Sequence, residues 1–122
     1  MDIGRVPIGK SLSSEIDIEV ISVCYDTRTL EVTVAASGHV RQVIFNQPGG
    51  FRVLDEGDLL EFWPECSTPN GWLFEIYHGG WKSLESTRPG FTSGDHSCKR
   101  EYLIVGCTAC VSVLSFDEPE IV

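Results

Sequence analysis

The sequence predicts an α+β single domain, mainly an antiparallel sheet of about six strands with one short helix. Three observations predict it. Apolar and polar residues alternate with period two in "EIDIEVISVCY" and "TLEVTVAA". Aromatic and β-branched residues fill "WLFEIYH", "REYLIVG" and "CVSVLSF". Helical spacing shows in one place, "VLDEGDLLEFWPE". A chain of 122 residues is the size of one ordinary domain.

Residues 1–14 carry Gly4, Pro7, Gly9 and three serines, and read as a flexible lead-in. The folded domain is expected over 15–116. Ile16, Ile18 and Val20 alternate with Asp17 and Glu19. Leu30, Val32 and Val34 then alternate with Glu31 and Thr33, and "DTRT" between the two runs supplies a hairpin turn. "HVRQVIFNQ" is a third strand, stopped by "PGG".

After Phe51 the spacing changes. Leu59, Leu60 and Trp63 share one side of a short helix, which Asp55 caps and Asp58 completes as a capping box. Carboxylates there suit the positive end of the helix dipole. Gly57 and Pro64 limit the helix to about two turns. "STPNG" is a turn, and "WLFEIYH" a strand. The stretch 79–100 lacks clear periodicity, and stretches of that length are often functional. Two closing strands precede an acidic tail, 117–122.

Cys107 and Cys110 lie at C-x-x-C spacing in "GCTAC". A redox pair of this spacing opens a helix whose N-terminus acidifies the first thiol. Here "VSVLSF" follows, which is too β-branched to begin a helix. A zinc site needs four ligands, and His96 with Cys98 lacks the usual second half-site spacing. The pair therefore reads as the turn of a β-hairpin, its sulfurs packed as small hydrophobes. Cys24 and Cys66 fit no motif. No metal and no cofactor is expected. The five cysteines cannot all pair, and "MDIGRVPIGK" lacks the layout of a signal peptide, so a reducing, cytoplasmic setting is expected.

The 18 acidic and 9 basic residues give a net charge of −9. That field repels phosphate backbones, which argues against nucleic acid as a partner, and it favours a basic protein. No apolar run reaches the roughly 20 residues of a membrane-spanning helix, so no membrane partner is expected. His39, His78 and His96 fall in no catalytic pattern, and no nucleophile or phosphate-loop motif is present. "HGGW" has the composition of an anion hole, but Gly-Gly after a strand is more often a bend. No catalytic residue is therefore expected.

In "GFRVLDEGDLLEFW" and "REYLIVGCTACVSVLSFDEPEIV", and in its size and acidity, the chain resembles the small acidic immunity proteins of bacterial polymorphic and contact-dependent toxin systems. The likeness spans residues 40 to 122. It implies a non-enzymatic cytoplasmic protein that binds and neutralises a cognate basic toxin domain. An acidic inhibitor of that kind gains association rate by steering. Glu56, Asp58, Glu61 and Glu65 around the expected helix would form its partner-binding patch, with Glu61 and Glu65 ahead of Asp55 and Asp58, which also have capping to do. The alternative is a small-ligand-binding module whose pocket is lined by Trp72, Tyr77, His78 and Trp81.

Overall fold

Strand β3, Thr29–Ala36, keeps the alternation of its sequence. Leu30, Val32, Val34 and Ala36 are buried, and the residues between them are half-exposed. Its neighbours follow from turn chemistry. Before it, Asp26 Oδ1 accepts hydrogen bonds from the backbone N–H groups of Arg28 (2.9 Å) and Thr29 (2.7 Å), and Thr27 takes a φ of 76°. This tight turn joins β2, Glu19–Tyr25, to β3 as the hairpin the sequence predicts. After β3, Ala36 pairs with His39, and Gly38 adopts the φ of 82° that turns the chain into β4, His39–Asn46.

The computed structural model describes residues 4–7, 18–36, 38–55, 72–90 and 99–122. The other strands among them are β1 (Gly4–Pro7), β5 (Gly50–Asp55), β6 (Leu73–His78), β7 (Arg100–Val105), β8 (Ala109–Ser115) and β9 (Glu120–Ile121), with one short helix, α1 (Trp81–Glu85). They form a five-stranded sheet of order β1-β6-β7-β8-β5 and a four-stranded sheet of order β2-β3-β4-β9, paired antiparallel throughout.

The two sheets enclose one core. Leu30, Val32, Val34, Val43 and Phe45 of the four-stranded sheet pack with Leu73, Tyr102, Ile104, Val111 and Val113 of the other. Ile18 and Trp72 complete this cluster. The Phe45 and Tyr102 rings meet at 5.7 Å, and Tyr25 meets Phe51 edge-on at 5.2 Å. The opposite face of the five-stranded sheet carries a second apolar cluster of Phe74, Ile76, Leu103, Val105 and Cys110, with Leu54 against it. Strands β7 and β8 are thus buried on both faces. This explains why "YLIV" and "CVSVL" read as near-continuous apolar runs instead of alternating.

The antiparallel, sheet-dominated fold is as expected, but the described residues make more strands than the six predicted and divide them between two sheets. Val53, Leu54 and Asp55, where the spacing predicts the approach to a helix, belong to β5, where backbone pairing with Val111, Cys110 and Ala109 overrides local spacing. The helix expected after them lies outside the described residues. The helix that is described, α1, falls in the stretch that showed no periodicity. Gly4–Pro7 of the predicted lead-in pairs with β6, and Glu120–Ile121 of the predicted tail pairs with β4.

Candidate functional site

The outward face of the four-stranded sheet is built by the side chains that alternate with its core residues. Register aligns them in rows across the strands. Cys24 of β2 pairs with Glu31 of β3, Glu31 with Ile44 of β4, and Ile44 with Glu120 of β9. The next row is Ser22, Thr33 and Gln42, extended by Val122, whose backbone exchanges hydrogen bonds with Gln42 at 3.1 and 2.9 Å. Beyond it Glu19 pairs with Ala35, and Ala35 with Val40. Val40 and Val122 are more than half exposed, and Ile44 is half-buried. The three rows carry three carboxylates and no lysine or arginine. The register of β2 shifts between Val20 and Ser22, leaving Ile21 exposed, and such a bulge interrupts an edge strand as a template for further pairing.

A second polar constellation lies on the other sheet, at the corner "HGGW". Strand β6 ends at the exposed His78. Gly79 takes a φ of 78°, and Gly80 is the N-cap residue of α1. The α1 amides are met by Glu101 of β7. Its carboxylate accepts hydrogen bonds from Trp81 N at 2.9 Å and Lys82 N at 2.8 Å. Glu101 is 2% exposed, and this burial pushes its carboxyl above the usual range, against the opposing pull of those amides and of the Arg52 and Lys82 charges. The Arg52 guanidinium stacks 5.2 Å from the centre of the Trp81 ring, and Lys82 Nζ donates to Lys99 O at 2.8 Å. The anion hole that "HGGW" suggested is filled by the protein's own carboxylate, so the corner is a bend locked from inside. No sequence motif marks Glu101. The available sign was one acid set within an apolar strand, which must find partners when buried.

No family model, curated protein or solved structure matches this chain.

The residues singled out from the sequence lie partly within and partly outside the described residues. Glu56, Asp58, Glu61 and Glu65 lie outside the described residues, as do Cys66, His96 and Cys98. Trp72 is wholly buried in the core between the sheets, and its Nε1 has no hydrogen-bond partner among the described residues. Trp81 sits on the opposite face of the five-stranded sheet, against Arg52 and near Gly50. Tyr77 and His78 are exposed at the end of β6. These four side chains line no common surface, because a fully enclosed Trp72 offers nothing to a ligand.

The cysteine pair sits where the hairpin was expected, between β7 and β8. Cys107 N donates to Ile18 O at 2.7 Å and Thr108 Oγ1 to Glu19 Oε1 at 3.1 Å, so the turn is fastened to the start of β2. Cys110 is buried, its thiol 3.9 Å from Gly106 O, while Cys107 is half-buried and Cys24 exposed. Among the described residues no group of three or more histidines, cysteines and acids is placed to hold a metal, and no helix is long and apolar enough to cross a membrane.

Proposed function

We propose that this chain is a non-enzymatic immunity-type protein that binds a basic toxin domain and neutralises it in the bacterial cytoplasm. One observation carries the proposal: among the described residues Glu19, Asp117, Glu118 and Glu120 are exposed acids, with Glu31 half-exposed beside them. Two ion pairs join described residues to one another, Arg88–Glu85 and Arg100–Glu75. Glu19, Glu31, Asp117, Glu118 and Glu120 belong to neither. Surface carboxylates steer the approach of a basic partner. The buried carboxylate, Glu101, is engaged by the backbone amides of Trp81 and Lys82, so it serves the fold. The aromatic-pocket alternative loses its support with Trp72 enclosed.

The test is to express the open reading frames adjacent to this gene and measure binding by calorimetry. A neighbouring toxin with a basic C-terminal domain should bind one-to-one and lose its activity in the complex. If no neighbouring product binds, the proposal fails.

A further inference from the structure

We propose that the outward face of the four-stranded sheet, centred on the row Glu31–Ile44–Glu120, is the docking surface for a basic protein partner; the proposal rests on the function inferred above. The charge pattern argues for that occupant. Glu31 and Glu120 flank Ile44 in register, one strand to either side. Adjacent strands are about 4.8 Å apart, so the two carboxylates stand about 10 Å apart across an apolar side chain. Glu19 adds a third acid two rows away, and no cation of the described residues shares the rows. A partner that places two arginines or lysines about 10 Å apart, with an apolar side chain between them, matches this row in both charge and polarity.

The surface also has the make-up of an interface. Val40 and Val122 expose 56% and 59% of their area on a face whose other members are mostly small or polar. Apolar side chains set among polar ones, Ile44 at the centre and Val40 and Val122 towards the margin, are what a protein interface presents. A second copy of this chain would bring carboxylates against carboxylates. A nucleic acid would bring phosphates against them.

The experiment uses the full chain and, as probe, the catalytically inactivated basic C-terminal domain of the toxin encoded beside it. Glu31→Lys with Glu120→Lys is compared with Glu85→Lys with Asp55→Lys, which changes the net charge equally but lies off the face. Stopped-flow association is measured at low and high salt, with circular dichroism confirming that each variant folds. The face variant should associate roughly tenfold or more slowly at low salt and lose most of its salt dependence. The off-face variant should stay close to wild type. Ile44→Asp should shorten the lifetime of the complex, since an apolar centre acts on dissociation. If wild type binds the probe and the face variant binds it equally fast, this surface is not the interface and the toxin reading stands. If wild type does not bind the probe, both fail. A wild-type homodimer in sedimentation that Ile44→Asp breaks would give the face to a second copy and overturn the proposal.

Discussion

Gly80 and Glu101 leave each other no spare room. A side-chain carbon on Gly80 would lie 2.5 Å from Glu101 Oε2 and 2.7 Å from Ile76 Cγ2. The Gly80 backbone has a φ of −102°, which any residue adopts, so glycine is required here by space alone.

Replacing Gly80 with alanine should therefore destabilise the protein by about 1–3 kcal/mol, the usual cost of overpacking. Both neighbours are buried and held, Glu101 by two amides, so neither can swing aside. Gly90→Ala is the control, because a carbon there meets nothing within 4 Å. It should be neutral or slightly stabilising. Urea midpoints of the two variants separate these outcomes, and equal midpoints would show that the corner relaxes freely.

Glu101 should give the protein an inverted pH dependence in the mildly acidic range. Its carboxyl titrates above the ordinary value of 4.5 because burial disfavours the charge. The folded state then holds the proton more tightly than the unfolded state. Stability from this group is present in full below the ordinary value and is lost as pH rises through the raised one. Glu101→Gln removes the titration. It also sets an amide NH2 against a backbone N–H, at a cost of about 1–3 kcal/mol. The stability gap between wild type and Glu101→Gln, from denaturant melts between pH 4 and 8, should narrow as pH rises. A gap that widens would contradict the burial argument.

Tyr102 should resist ionisation. Burial, aided by the Glu75 charge and opposed by Arg100, pushes its phenol up to about 12. Arg100 Nη1 also donates to its hydroxyl at 3.2 Å. In a Tyr25→Phe, Tyr77→Phe background, where Tyr102 is the remaining tyrosine, absorbance at 295 nm should rise with a midpoint about two units above the ordinary phenol value of 10. The folded state favours the protonated phenol, so stability should fall as pH rises from 10 towards 12. A midpoint near 10 in the folded protein would show that the hydroxyl reaches solvent.

Thiol alkylation should follow exposure. Cys24 lies open on β2 and Cys110 is 1% exposed. Iodoacetamide followed by peptide mass mapping should modify Cys24 in the native protein and Cys110 only after denaturation. Equal modification would mean that the β7–β8 hairpin opens readily.

The sequence revealed what is local and hid what is long-range. The β2–β3 hairpin was legible because Leu30, Val32 and Val34 keep strict alternation and "DTRT" marks the turn. The β7–β8 hairpin was legible because Gly106 begins a turn between two β-branched runs. Strand β5 was misassigned at Val53–Asp55 because its partner, β8, lies more than fifty residues on, and no local pattern announces that pairing. Helix α1 is five residues long, too short to display a period, and it is fixed by Glu101 twenty residues away. The division into two sheets was hidden for the same reason. Of the candidate surface, the acidity was visible from composition. The row Glu31–Ile44–Glu120 was not, since it exists only in the register of β3, β4 and β9.

The connectivity of the four-stranded sheet also sets an order of events during synthesis. Strands β2, β3 and β4 follow one another directly and form a meander within residues 19–46, so they can pair as soon as they leave the ribosome. The partners for their apolar face, Leu73, Tyr102, Ile104, Val111 and Val113, are translated much later. At roughly 5–20 residues per second, several seconds separate the synthesis of Leu30, Val32, Val34, Val43 and Phe45 from that of the residues that cover them. The cell must shelter that surface for the interval, and a slow codon or a pause between β4 and β6 would lengthen it without changing a single residue of the finished protein.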